Sequence, residues 1–337
     1  MAPSTIPPPE ELDSYHDVEP ELKEVLELMP RPKIDTSDPE GAIMKMREVW
    51  TKLPKPDPEP RVCESESTYT TRDGEKLQYL IFKPSNPTGP LKLLIWYHGG
   101  GMCLGTPKMN TTILRSVALE RQAVVVAPTY RLAPEHKFPT GVEDAYDVFK
   151  HIASNASSLG ADPSTGFVVG GESAGAVLSA IATLRARDDK ISPPLTGSFL
   201  SAGSYFNSSA VPEQYKQYYR SRTDPVCLSA PMLSQDAKKC FDACYQADYS
   251  SPLSRASLWP TGSKGLPKTY FQSCGMDINR DDSYIYQDML RKEGVETKLD
   301  LYKGCPHCFW FIFYETEAGE KWKRDTHEAL RWLFAKA

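Results

Sequence analysis

The chain is predicted to be an α/β protein whose mostly parallel sheet is covered by helices on both faces. Strand-like and helix-like patterns alternate from residue 62 onward, the signature of strands joined by helical crossovers. Asp73-Gly74, between two β-patterned runs, marks a hairpin at the start of the sheet. The short run Gly166-Phe167-Val168-Val169-Gly170 passes through Gly171-Glu172-Ser173-Ala174-Gly175 into an Ala- and Leu-rich stretch, a strand-to-helix turn with a serine at its tip.

In chain order, residues 1–60 are Pro-rich and acidic with two helical patches, 20–29 and 42–53. In the first, Leu22, Val25, Leu26 and Met29 recur at helical spacing. Residues 62–71 and 76–83 are the hairpin strands; then follow strand 91–97, helix 111–120, strand 123–127, helix 141–154, strand 166–170 and helix 174–187. Strand 195–201 precedes nearly seventy residues without strand alternation, rich in aromatics and helical near 231–245; strand 269–274, helix 283–293, strand 297–302 and helix 317–335 close the chain. An insertion that long within an α/β sheet is usually functional. The expected organisation is an N-terminal cap segment (1–60), a first core part (61–201), a cap insertion (202–265) and a second core part (266–337). Both cap segments carry apolar stripes that need covering, and packing them on each other above Ser173 satisfies both.

Composition narrows the function. At 337 residues, 40% hydrophobic and 25% charged, the chain reads as an ordinary soluble globular protein. A net charge of −5 without a long basic run argues against nucleic acid. No stretch of about 18 apolar residues exists, so no stable membrane insertion is expected. The Pro-rich start, Met1 to Pro9, is followed by acids, unlike a secretory signal, and Ala335-Lys336-Ala337 is not a peroxisomal address, so a cytoplasmic location is expected. The eight cysteines read as reduced thiols rather than a disulfide frame.

The chemistry concentrates in two motifs. G-x-S-x-G arises by chance in roughly one chain in ten of this length, His98-Gly99-Gly100-Gly101 in about one in a thousand, so the pair is far more telling than either alone. Gly171 and Gly175 leave room where side chains would strike the adjoining strand and helix. The glycine run follows strand 91–97 and turns backbone N–H groups toward a developing oxyanion. Gly100, Gly101 and Ala174 are the expected donors, with Gly99 a further candidate, and His98 is read as holding the loop by a side-chain hydrogen bond. A serine on such a turn is followed along the chain by an acid and then a histidine. Only His307 and His327 follow Ser173. His327 reads as a surface position of the C-terminal helix, whereas His307 lies on the Gly/Pro loop after strand 297–302, which makes it the general base. Asp277 is the first carboxylate after strand 269–274 and would orient the imidazole; Asp281 and Asp282 are alternatives, otherwise read as acids favoured by a helix N-terminus. Met102, Tyr205 and Phe206 are expected to line the substrate pocket.

The chain resembles the hormone-sensitive-lipase-like branch of the α/β-hydrolases. The matching pieces are His98-Gly99-Gly100-Gly101, Tyr130-Arg131-Leu132-Ala133-Pro134-Glu135, Gly171-Glu172-Ser173-Ala174-Gly175, Ser251-Pro252-Leu253, Asp277-Ile278-Asn279-Arg280-Asp281 and Pro306-His307-Cys308-Phe309. The resemblance implies an eight-stranded sheet, a helical cap from the N-terminus and the insertion, and carboxylic-ester hydrolysis without a cofactor or metal. Two positions depart from the family pattern: Glu172 stands where Asp or Thr is usual, and Met102 follows the glycines where an aromatic or Val-flanked residue is common.

Rival readings are weaker. Cys305-Pro306-His307-Cys308 is a C-x-x-C string, but thioredoxin-like domains carry it after an early strand, not at the end of a long sheet. Zinc held by Cys305, His307, Cys308 and Cys240 or Cys244 lacks two well-spaced ligand pairs. A non-catalytic small-molecule receptor on the same fold is opposed by the retention of Ser173, Asp277 and His307. The expected partner is a small, largely apolar ester. Lactone opening, acyl transfer and a homodimer are left open.

Overall fold

The computed structural model describes residues 6–18, 20–29, 33–51 and 56–336. Residues 1–5 of the Pro-rich start, 52–53 of the second expected helical patch and the final Ala337 lie outside the described residues.

Eight strands form one sheet: β1 (Val62–Thr70), β2 (Lys76–Pro84), β3 (Lys92–Tyr97), β4 (Ala123–Pro128), β5 (Phe167–Glu172), β6 (Gly197–Ser201), β7 (Lys268–Cys274) and β8 (Thr297–Tyr302). Their order is β1-β2-β4-β3-β5-β6-β7-β8. The β1–β2 hairpin and the β2–β4 pair are antiparallel, and every pairing from β4 onward is parallel. The helices are α1 (Pro9–Asp13), α2 (Pro20–Leu28), α3 (Pro39–Thr51), α4 (Thr111–Arg121), α5 (Thr140–Ser154), α6 (Ala174–Asp188), α7 (Pro225–Ser229), α8 (Gln235–Tyr245), α9 (Arg280–Lys292) and α10 (Glu317–Phe334).

Alternation along β3 shows how the sheet is covered. Leu93, Ile95 and Tyr97 join one core with α5 and part of α6, whereas Leu94 and Trp96 join another with α4 and α10. Successive side chains of a strand point to opposite faces, so a central strand covered on both sides is apolar at nearly every position. A third core gathers α9 with Leu200, Phe271, Tyr205 and Phe206. The N-terminal segment contributes to all three: Ala42 and Ile43 to the first, Leu22 and Leu26 to the second, Ile6, Leu12 and Tyr15 to the third.

The insertion is better capped than its sequence suggested. Its main helix starts at Gln235 rather than near 231, because the Ser234 side chain accepts the Ala237 N–H, and the separate short α7 is capped by Asp224. Helix α9 starts at Arg280, three residues before the expected start at 283, with Asp281 and Asp282 in its first turn. Helix α3 meets α8 where Met46 and Ile34 approach Leu233, Ala237 and Phe241, so the two strandless segments do touch.

Candidate active site

Because β3 and β5 to β8 run parallel, the loops after β3, β5, β7 and β8 all emerge at one edge of the sheet, where ligands bind in open α/β folds. Those loops carry His98–Gly101, Ser173, Asp277 and His307.

Ser173 is the pivot between β5 and α6, with φ 52° and ψ −117°, a conformation that L-residues rarely adopt and that recurs at nucleophile turns. The turn is possible because its neighbours are glycines. A β-carbon on Gly175 would overlap the Tyr97 carbonyl of β3, and one on Gly171 would overlap Gly175 itself. The Ser173 N–H donates to the Ser201 carbonyl at 2.8 Å, tying the turn to the end of β6.

Ser173 Oγ lies 2.8 Å from His307 Nε2, and His307 Nδ1 lies 2.6 Å from Asp277 Oδ2. A carboxylate only accepts, so Nδ1 carries the proton and Nε2 is left to accept from the serine hydroxyl. Asp277 Oδ1 accepts the Asn279 N–H at 2.8 Å, which fixes the carboxylate plane. Asp277 and His307 are buried, whereas Ser173 is half-buried. The loops of Asp277 and His307 are themselves joined, since the Met276 N–H donates to the Cys305 carbonyl at 3.0 Å.

The glycine loop is held from both sides. His98 Nδ1 lies 2.7 Å from the Gly99 carbonyl, and its ring stacks on Tyr130 at 4.4 Å, whose hydroxyl donates to the His98 carbonyl at 2.9 Å. Burial pulls the His98 imidazole down to about 4, so it stays neutral and serves as the loop's internal tie. Gly99 packs against the buried Glu172: a β-carbon there would stand 3.2 Å from Glu172 Cγ. Among the described residues, the N–H groups of Gly100, Gly101 and Ala174 have no protein acceptor. Phe241 of α8 covers Gly101: a β-carbon there would stand 2.7 Å from the ring.

Three expectations change. Tyr205 and Phe206, expected in the substrate pocket, are 0% and 2% exposed inside the third core. Asp282 Oδ1 accepts both of their backbone N–H groups, and Tyr205 stacks on Tyr286 at 4.8 Å. Met102, next to Gly101, is buried like His307, with its carbonyl accepting the Ala133 N–H. His327 is not a surface position: it is wedged between α10 and α4, 2.9 Å from Ser116 Oγ and 3.3 Å from Glu120.

The alternative acids have other work. Asp281 pairs with the buried Arg280 and accepts the N–H groups of Arg220 and Ser221; Asp282 binds Arg222 at 3.0 Å. Both thus fasten the insertion to α9, a role hidden in sequence because the partners lie 60 or more positions away. Cys305 and Cys308 are free, buried thiols, and burial pushes the Cys308 thiol well above its usual range. Thiol–disulfide chemistry needs an accessible sulfur with a lowered pKa, so this string lacks what the redox reading requires. Among the described residues, no group of three or more His, Cys, Asp or Glu is arranged to hold a metal ion. None of their helices is long and apolar enough to cross a membrane.

A family model of the alpha/beta hydrolase fold matches residues 94–311, from β3 to just past His307. The chain belongs to the α/β-hydrolase fold family. The hydrolase is 33% identical over 333 residues to AB hydrolase superfamily protein B1A11.02 of Schizosaccharomyces pombe, covering 96% of both chains. It is 30% identical to the carboxylesterase NlhH of Mycobacterium tuberculosis, covering 84% of this chain and 86% of that protein. Among solved structures, a vibralactone cyclase superposes with a TM-score of 0.87 at 32% identity, over 95% of this chain and 96% of the cyclase. With such relatives, the chain is an esterase-type hydrolase.

Proposed function

We propose that the protein cleaves a carboxylic ester of a small, largely apolar substrate through Ser173, His307 and Asp277. The observation that carries this reading is the unbroken line from Ser173 Oγ through His307 to Asp277, at 2.8 and 2.6 Å. Ser173 Oγ attacks the ester carbonyl carbon while His307 Nε2 takes its proton. The carbonyl oxygen becomes an oxyanion facing the Gly100, Gly101 and Ala174 N–H groups, an interaction worth on the order of 3 kcal/mol per donor in related sites. His307 returns the proton to the alcohol oxygen as the carbon–oxygen bond breaks. Water, deprotonated by His307, then attacks the acyl-enzyme and releases the acid and Ser173. Asp277 keeps the proton on Nδ1 and stabilises the imidazolium that forms twice in the cycle. Phe241, seated over Gly101, supports an apolar wall beside the oxyanion site.

A second reading shares the first half of this cycle. A hydroxyl of the substrate itself, or of another alcohol, would capture the acyl group and give a lactone or a new ester. The similarity to a vibralactone cyclase over nearly the whole chain favours keeping it.

Fluorophosphonate labelling with mass-spectrometric mapping, followed by p-nitrophenyl esters of graded chain length, tests the proposal. The label is expected on Ser173, and Ser173→Ala is expected to abolish ester turnover with the fold intact. A label on a cysteine, or none, overturns it. Adding acceptor alcohols to the assay separates the two readings by whether new esters accumulate at the expense of free acid.

A further inference from the structure

We propose that Glu172 is a positioning residue: its buried side chain, packed against Gly99 and hydrogen-bonded to Asn110 and Trp310, holds the loop carrying Gly100 and Gly101 in register with Ser173 and with the loop bearing His307. This rests on the triad reading above.

Glu172 precedes the nucleophile and is wholly buried, yet no ion pair reaches it among the described residues. Taking a carboxylate out of water without a countercharge costs several kcal/mol, and an apolar residue would fill the space without that cost. What the carboxylate gains instead is two neutral donors from two separate segments, with the glycine loop packed beside it. Asn110 Nδ2, at the start of α4, donates to Oε1 at 2.9 Å; Trp310 Nε1, three residues past His307, donates to Oε2 at 3.0 Å; a β-carbon on Gly99 would stand 3.2 Å from Glu172 Cγ. Trp310 is itself clamped by stacking on Trp322 at 5.1 Å, so its indole is a fixed anchor. One side chain therefore joins the nucleophile turn, the oxyanion loop and the base loop.

The surroundings can hold Glu172 in two protonation states. Ionised, it accepts both hydrogen bonds. Protonated, it needs an acceptor, and Asn110 Oδ1 is buried without a partner; rotating that amide presents it to the new O–H. Burial raises the carboxyl to about 7, so the proton is exchanged in the ordinary working range. The titratable groups facing it are His307 and Cys308 from the base loop and Tyr130 from behind the oxyanion loop, with His98 neutral on that loop. A negative Glu172 stabilises a positive charge on the His307 ring. The ionised clamp, with its stronger acceptor, grips Asn110 and Trp310 more firmly.

Glu172→Gln keeps the size of the side chain but removes the ionisation. The ratio of parent to variant kcat/KM for a p-nitrophenyl ester is expected near one at pH 5.5 and to rise to about tenfold by pH 8.5, carried by kcat, with KM changed less than about threefold. The affinity for a trifluoromethyl ketone, which forms the tetrahedral oxyanion adduct, should fall in parallel. Asn110→Ala leaves Glu172 in place but deprives its ionised form of a donor, so it should move the parent's inflection to higher pH. A ratio that is flat or falls with pH, or an unmoved inflection in Asn110→Ala, overturns the proposal. Fluorophosphonate mapping of the parent keeps the readings apart. Ser173 labelled with a flat ratio defeats the Glu172 role alone; an unlabelled Ser173 defeats the triad and this role together.

Discussion

The Tyr15 carbonyl accepts the Gly304 N–H at 2.9 Å, so a residue near the start of the chain braces the loop that carries the catalytic base of the proposed triad. The same carbonyl sits against Gly275, two positions before Asp277, where a β-carbon would overlap it. On Gly304, whose φ is +63°, a β-carbon would overlap the Asp17 carbonyl. The strap is fastened farther out by Arg220–Asp13 and His16–Asp224 pairs at 2.7 and 3.0 Å. Gly275→Ala is therefore expected to displace both the strap and the acid. Turnover should fall about tenfold or more, since a shift of an ångström in a reacting group can cost as much as a hundredfold. Steady-state kinetics beside a thermal melt checks this; unchanged kcat in a folded variant would show that the strap does not bear on the site.

The two histidines that follow Ser173 should separate cleanly. His307→Ala is expected to lower kcat by several orders of magnitude, and Asp277→Asn by about a thousandfold or more. His327→Ala loses the Ser116 contact and partial burial between two helices, so its effect belongs to stability, about 1 kcal/mol, with kcat within about twofold. Comparable kinetic losses at both histidines would refute the assignment.

His98 makes stability depend on pH. Its imidazole titrates near 4 in the folded protein and near 6.5 when exposed, so the unfolded chain binds the extra proton in between. Stability from His98 is present above pH 6.5 and lost as pH falls toward 4, up to roughly 3 kcal/mol. Glu172, raised from 4.5 to about 7, acts in the opposite sense, because its folded form retains the proton. The raw curve is thus flattened, and His98 must be isolated by difference. Urea midpoints of the parent and His98→Asn should diverge as pH rises from 4 to 6.5; parallel curves would show that the ring is not buried neutral.

Thiol reactivity gives an independent check on the Cys305–Cys308 string. Of eight cysteines, Cys63 alone is exposed. Ellman's reagent should titrate one thiol rapidly in the native protein and eight in denaturant, with ester hydrolysis retained after the first. Fast modification at Cys305 or Cys308 with loss of activity would reopen the redox reading.

Much of this architecture is legible in the sequence because its signals are local. The central strands are short apolar runs bounded by turn residues, and the observed ends of all eight strands fall within about two residues of the expected ones. Ser173, Asp277 and His307 stand out because a nucleophile turn and two strand-end loops are readable one at a time. What escaped was set by distant partners. The aromatic pair Tyr205–Phe206 looks like a pocket wall until Asp282 and Tyr286 are seen to draw it into the core. His327 looks exposed on its own helix, and only the approach of α4 covers it. Nothing near Gly99 announces its contact with Glu172, which belongs to the next strand in the sheet. The strap at Tyr15 carries no motif at all.

The placement of the base after the last strand, 134 positions beyond the serine, has a consequence for biosynthesis. A ribosome delivers Ser173 and the glycine loop long before it delivers His307. Through that interval the nucleophile has no partner to accept its proton, and the hydroxyl is as inert as any other serine. On the proposed triad, reactivity waits for the loop bearing His307 rather than for an external signal, so a nascent chain that has not reached it is expected not to hydrolyse esters.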